Sequence, residues 1–199
     1  MPNEIDWSEY FKAYVPTVII LISLFSLLAL PNYTLPVAIL QTIVITLLSY
    51  GGHIFAHAIS NDGPLSYLNP HIFLHHKKLL DIPRWLELVI EAIFNFLAFY
   101  IIIIIQKLSG FHIFSTSLVI GAALLYVIIH IFDYSIHGNE KHGLHHKNTF
   151  CNYDPEFLDT LFGTRCDPEK PYTDMYEEIP HIIVAFCLTG ILKLCMGLD

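Results

Sequence analysis

Four long apolar runs constrain the fold of this chain more than any other feature. A helix needs ~20 residues to cross the ~30 Å hydrocarbon core of a bilayer, and the runs reach that length with their flanking residues. Hydrophobic residues make up 54% of the sequence and Asp, Glu, Lys and Arg only 14%, with a mean hydropathy of +0.55. The sequence therefore predicts an all-α integral membrane protein. The runs are 15–30, 35–50, 88–105 and 113–132.

Short links join these runs in pairs. Residues 31–34 (Pro-Asn-Tyr-Thr) connect the first two runs, and residues 106–112 connect the last two. Because short links force helices to be antiparallel neighbours, we predict four transmembrane helices arranged as two hairpins, in one domain over 1–199. A fifth apolar stretch, 181–196, follows Pro180 and carries Lys193. The sequence leaves open whether it spans the membrane or lies in the interface; of the two, we expect a helix packed at the cytosolic boundary. The predicted spans, with flanking residues, are about 15–30, 35–57, 86–105 and 113–132.

Basic residues are distributed unequally between the two faces of this arrangement. The face that carries both short links has one basic residue, Lys107, and the opposite face has most of the others. The positive-inside rule makes the opposite face cytosolic. The net charge of −8 and the lack of a Lys/Arg cluster argue against a nucleic-acid partner. The four cysteines, at 151, 166, 187 and 195, show no C-x-x-C spacing, so we expect reduced thiols.

Histidine is concentrated in the segments assigned to the cytosolic face. Twelve histidines occur, and nine of them fall in the windows 53–76 and 137–146. On an α-helix, histidines three or four residues apart share a face, while adjacent ones diverge by ~100°. One helix can therefore supply ligands to two metals. The candidate ligands are His53, His57, His71, His75, His76, His130, His137, His142, His145 and His146.

This number of imidazoles indicates two metal ions. Imidazole is a ligand for Fe, Zn, Cu and Ni, and eight to ten such groups exceed the coordination capacity of one ion. A structural zinc site would be closed by four ligands, usually including cysteine, and no cysteine here has suitable spacing. We predict a histidine-rich helical cap, formed by 53–84 and 130–180, that holds a dinuclear site.

Four polar residues are candidates for orienting these ligands, since a metal-bound histidine normally donates its other N–H to an oxygen. Asp133 lies between His130 and His137 and could orient either one. Glu91 lies within a predicted span, where a carboxylate is costly unless it faces the bundle interior. Asn152 and Asp159 could support the final histidine box, although Asp159 could instead cap a local turn.

The most specific motif follows the last histidines. The pattern His142-x-x-His145-His146 is followed by Asn152-Tyr153 and then Asp159-x-Leu161-Phe162-Gly163-Thr164. With the earlier boxes, it resembles the fatty acid hydroxylase/sterol desaturase superfamily over 52–164. Where the family has N-Y-G, this chain has Asp154 in place of the glycine.

The resemblance implies a specific chemistry. Members are di-iron enzymes of the endoplasmic reticulum membrane that use dioxygen to hydroxylate or desaturate fatty acyl chains and sterols. The resemblance therefore implies two Fe ions, a lipid substrate and a separate electron donor, such as a b-type cytochrome with its reductase. Zinc can replace iron in isolated protein.

Other functions are also considered. A metalloprotease requires Glu at the second position of the first box, where this chain has Ile54. A metal transporter would place ligands near the bilayer midplane, whereas these histidines lie at helix ends and beyond. A carotenoid-type hydroxylase, or a family member that binds metal without catalysis, remains an alternative.

Overall fold

A computed structural model describes residues 5–30, 32–59, 69, 71–77, 81–173 and 175–198. All regular secondary structure in these ranges is helical. Pro31 of the first link, Asp174, and residues 60–68, 70 and 78–80 of the predicted cap segment 53–84 lie outside the described residues.

Seven α-helices and two π-helical segments make up the described fold. The π-helical segments are His71–His76, between α2 and α3, and Ile129–His137, which continues α4. The α-helices are α1 (Trp7–Ala29), α2 (Leu35–Ile59), α3 (Arg84–Ser109), α4 (Thr116–Ile128), α5 (Glu140–Lys147), α6 (Glu156–Phe162) and α7 (Glu178–Met196).

Five of these helices are long and apolar enough to cross a membrane, one more than the four predicted. They are α1, α2, α3, α4 with its π-helical continuation, and α7. Their outer surfaces are apolar, with exposed side chains such as Ile19, Leu40, Leu97 and Leu188. This confirms a membrane protein made of helices, because soluble proteins rarely expose such a large apolar surface.

The N-terminal helix begins earlier than the apolar run predicts. Asp6 caps α1 by accepting hydrogen bonds from the backbone N–H groups of Ser8 and Glu9. The next turns bury Tyr10 and Tyr14. The Tyr10 hydroxyl donates to the Phe157 carbonyl at 3.2 Å, so the start of α1 is packed against α6.

The C-terminal helix differs from the predicted one in its position. Instead of lying at the boundary, α7 runs along α4 and α1. Near its end, Lys193 Nζ donates to the carbonyl oxygens of Leu28 and Leu30, at 2.6 and 2.8 Å. Small residues permit this packing, since a Cβ on Gly121 of α4 would lie 2.7 Å from Leu28 Cδ1 and 3.3 Å from Thr189 Oγ1.

The helices place the link 106–112 at one end of the bundle and the histidines at the other. Two glutamines fix the link end. Gln106 Oε1 accepts from the N–H groups of Ile113 and Phe114, and Gln41 Nε2 donates to the Ile113 carbonyl. α2 and α4 run from this end to His57 and His130, so the histidines meet at the opposite end, called the histidine end below.

Candidate metal centre

Nine of the ten predicted ligands converge at the histidine end. They come from four separate elements: the last turns of α2, the two π-helical segments, and α5. Their side chains offer ligand atoms in overlapping groups within 4.8 Å of one another. The nine are His53, His57, His71, His75, His76, His130, His142, His145 and His146.

The first ligand group consists of His53, His57, His71, His76 and His145. His57 lies at its centre, with Nε2 3.0 Å from the Nε2 atoms of both His71 and His145. The Nε2 atoms of His71 and His76 lie 3.2 Å apart. His53 Nε2 is buried and has no hydrogen-bond partner.

Two smaller sets share His75, which lies with His130 and His142 in one and with His76 and His146 in the other. We take His75, His130, His142 and His146 together as the second ligand group. The Nε2 atoms of His75, His142 and His146 form a triangle. Its sides are 2.7 Å between His75 and His142, 3.0 Å between His75 and His146, and 3.0 Å between His142 and His146.

These separations fit ligands that share a metal. Ligand nitrogens ~2.1 Å from an ion and at right angles to each other lie ~3.0 Å apart, which is the spacing of the triangle. A neutral imidazole carries only one N–H, and in His75 the Nδ1–H donates to Glu91 Oε1, 2.5 Å away. The Nε2 lone pair of His75 is then free for an ion. The buried, unpartnered Nε2 of His53 fits the same role.

The π-helical segment His71–His76 determines how its three histidines are divided between the two ligand groups. On an α-helix, His71 and His75 would share a face, as predicted. Instead, His71 and His76 lie in the first group and His75 lies in the second. The cause is the i→i+5 repeat of the π-helix, visible in the 2.9 Å bond from the Lys77 N–H to the Ile72 carbonyl. This turn therefore supplies both groups.

The final box follows the α-helical expectation. His142 and His146, four residues apart on α5, face each other in the second group. His145 is turned to the first group. Asn139 caps α5 by accepting from the N–H groups of Lys141 and His142, which fixes where the helix starts and hence where each histidine points.

Backbone carbonyls orient two ligands of the first group. His53 Nδ1 lies 2.5 Å from the Tyr153 carbonyl, and His145 Nδ1 lies 2.7 Å from the Cys151 carbonyl. If each Nδ1 donates, each Nε2 is free to bind an ion. Sequence reasoning missed both partners, because a main-chain acceptor leaves no mark in the residue types.

Asp159 holds in place the loop that carries the Cys151 and Tyr153 carbonyls. It is buried, and its carboxylate accepts from the N–H groups of Tyr153 and Asp154 and from the Thr164 hydroxyl. Burial raises the pKa of Asp159 to about 6, against the effect of these hydrogen bonds. Asp159 thus acts on His53 and His145 through the backbone and does not touch either one directly.

Asn152 and a disulfide complete the support of the loop. Asn152 Nδ2 donates to the Lys141 carbonyl, and its Oδ1 accepts from the Cys166 N–H. Cys151 and Cys166 form a disulfide, so the expectation of four reduced thiols is wrong for this pair. The spacing gave no sign of it, because the chain between the two cysteines folds back through α6.

A carboxylate orients the second group. Glu91 on α3 is 4% exposed, and its Oε1 lies 2.5 Å from His75 Nδ1 and 3.4 Å from His130 Nε2. The predicted direction of Glu91, into the bundle, agrees with this contact. Glu87 instead pairs with Arg84 at 2.7 Å, and Asn95 Nδ2 is buried without a partner.

Burial keeps five of the clustered imidazoles outside the spans neutral. It lowers the pKa of His76 to about 2 and that of His145 to about 4, and neighbouring imidazoles add to the effect. The pKa values of His71, His75 and His142 are also lowered, for the same two reasons. A neutral imidazole is the form that binds a metal.

His137 and Asp133 lie apart from the cluster. The His137 side chain is 72% exposed, and its Nδ1 lies 3.9 Å from Asp133 Oδ1. Two α-helical turns would have aligned His137 with His130, but the π-helical segment changes the register. The other oxygen of Asp133 lies 3.3 Å from His181 Nδ1 on α7, so Asp133 does not contact the nine clustered histidines in the described structure.

A cavity of about 410 Å³ adjoins the cluster. His53 and His130 line it at the histidine end, and Phe25, Ile45 and Leu125 line it inside the bundle. Its apolar part is therefore in contact with one residue of each ligand group.

Comparison with known proteins found no matching family model, no matching curated protein and no matching solved structure.

Proposed function

We propose that the chain is a membrane-bound di-iron oxygenase that hydroxylates or desaturates a lipid, a fatty acyl chain or a sterol. It would use dioxygen and electrons from a separate donor, such as a b-type cytochrome with its reductase. The observation that carries the proposal is the convergence of nine imidazoles, in two groups, beside a cavity that is apolar inside the bundle. The family resemblance of 52–164 supplies the reaction type.

Each ligand group would hold one ion. His53, His57, His71 and His145 would bind the first, and His75, His142 and His146 the second. His76 lies within reach of both groups, and His130 lies in the second. Iron bound there would supply the activation of dioxygen.

The protein's own residues would orient the ligands and keep the site dry. His145 is fully buried and His57 is 3% exposed, so water has little access to the first group. Glu91 accepts a hydrogen bond from the Nδ1–H of His75 and thereby keeps the Nε2 lone pair directed into the second group. The cavity would hold the lipid with its tail between the helices.

We assign the histidine end to the cytosolic side of the endoplasmic reticulum membrane, on the distribution of basic residues. The disulfide Cys151–Cys166 favours the opposite side, since disulfides persist in oxidising compartments. Cys195, exposed near the other end of α7, can decide. A membrane-impermeant thiol reagent should label Cys195 only in permeabilised microsomes; labelling in sealed ones would reverse the assignment.

Lipid profiling with isotopically labelled dioxygen tests the function. Cells that produce the wild-type chain should accumulate a lipid that carries the label or a new double bond. Cells that produce His145→Ala plus His146→Ala should not, because each ligand group loses one imidazole. His137→Ala, outside both groups, is the matched control and should retain the product. Identical profiles from wild type and a folded, membrane-inserted double variant would contradict the proposal.

A further inference from the structure

The cavity beside the cluster has a polar end as well as an apolar one. At the polar end, its lining includes Tyr134, Lys141, Asp154, Glu156 and Glu178. Three of these five are carboxylic acids and one is basic. The balance of charge at this end therefore bears on which polar group a bound lipid can carry.

The one lysine is already neutralised. Lys141 Nζ forms an ion pair with Glu156 Oε2, and Arg165 approaches the other oxygen of Glu156 at 3.6 Å. Apart from Lys141, no lysine or arginine lines the cavity among the residues that the structure describes. An anionic group in the cavity would therefore meet no cationic side chain that is free to bind it.

Asp154 keeps one carboxyl oxygen open to a ligand, while its side chain also forms a hydrogen bond with Tyr134. Its Oδ2 is buried without a hydrogen-bond partner. Its backbone has φ of +55°, and its N–H donates to Asp159 Oδ2 at 2.8 Å. Asp159 thus fixes the Asp154 backbone while the side chain lines the cavity. Burial raises the pKa of Asp154 well above its usual range, against the effect of the hydrogen bond with Tyr134.

The remaining carboxyl at this end, that of Glu178, faces another residue. Glu178 Oε2 lies 3.6 Å from His181 Nδ1 and belongs to a group with Asp133 and His181. It offers no cation to a bound anion. An anionic group there would be buried without a free cation to offset its charge, whereas a hydrogen-bond donor would supply the partner that Asp154 Oδ2 lacks.

We propose that Asp154 is a specificity-determining residue that binds the polar group of an amphiphile. This polar group is an alcohol, an amide or an amine, and not a carboxylate or a phosphate. The inference rests on the proposed function in taking a lipid as the occupant of the cavity. With its polar group at Asp154 and its tail near Phe25, such a molecule would pass His53 and His130. The oxidised carbon would then lie close to the polar group.

Photocrosslinking with matched probes tests the selectivity. Three photoreactive hexadecyl probes, ending in a hydroxyl, an amine or a carboxylate, are added to the purified protein in nanodiscs, and labelled peptides are identified by mass spectrometry. The alcohol and amine probes should label the α1 peptide containing Phe25 at least about tenfold more than the carboxylate probe. Equal labelling by the carboxylate probe would overturn the proposal without any variant.

A variant then assigns the selectivity to one residue. Asp154→Asn should lower labelling by the amine probe about tenfold, and asparagine tolerates the left-handed backbone of this position. Asp81→Asn makes the same substitution at an exposed position outside the cavity and should change nothing. An undiminished preference for the amine in folded Asp154→Asn would refute the role of Asp154. Because crosslinking needs neither iron nor dioxygen, its failure is distinguishable from failure of the oxygenase proposal.

Discussion

In the first ligand group, backbone carbonyls orient the imidazoles, whereas in the second group a carboxylate does so. His53 and His145 face the carbonyls of Tyr153 and Cys151, at 2.5 and 2.7 Å. His75 faces Glu91, also at 2.5 Å. A carbonyl is neutral, and the position of its oxygen depends on the shape of the loop that carries it. A carboxylate adds a negative charge, and the position of its oxygens depends on one side chain. The two groups should therefore respond differently to substitution.

The largest effect is expected from a double substitution that removes candidate ligands from the second group alone. His142→Ala plus His146→Ala removes two of the three corners of the Nε2 triangle and leaves the first group intact. We expect the purified variant to retain one of the two proposed ions, as measured by metal analysis. Loss of both ions from a folded variant would show that the groups are not separate sites, and full retention would remove these histidines from the ligand set.

A smaller effect is expected from the carboxylate. Glu91→Gln keeps the size of the side chain but removes its charge and one acceptor from His75. Metal affinity of the second group should fall by ~10–100-fold, as is typical for a partner of a metal-bound histidine. Glu87→Gln, on the same helix but paired with Arg84, is the control. Competition with a chelator measures both, and equal affinities in the two variants would exclude Glu91 from the site.

The smallest effect is expected from the support of the carbonyls. Asp159→Asn places an amide group among donors that include two backbone N–H groups and the hydroxyls of Thr164 and Tyr50. At least one of these hydrogen bonds is lost, at a cost of ~1–3 kcal/mol in the free energy of unfolding. Metal loss should be confined to the first group, since Glu91 is unaffected. Denaturant unfolding and metal analysis test this. A stable variant with a weakened second group would show that Asp159 does not act through the loop.

The same contrast explains what could be predicted from the sequence. The membrane helices follow from length and hydropathy, and the nine clustered candidate ligands follow from the concentration of histidine in two windows. His142 and His146 pair as α-helical spacing requires. Glu91 was predictable too, because a carboxylate within a span needs a partner.

The remaining features depend on tertiary structure. The π-helical turn joins His71 to His76 and not to His75, and local residue types do not specify an i→i+5 turn. The second π-helical segment directs His137 to the surface and Asp133 towards His181. The carbonyls of Cys151 and Tyr153 become acceptors only once Asp159 has folded their loop. The place of α7 along the bundle depends on the close packing at Gly121.

X-ray absorption spectroscopy of the iron-loaded protein, with metal analysis, tests the central claim most directly. The account predicts two ions per chain, each with nitrogen neighbours at ~2.1 Å and without sulfur at ~2.3 Å. It also predicts the imidazole scattering pattern at both ions. A single ion per chain, or sulfur in the coordination shell, would contradict the account.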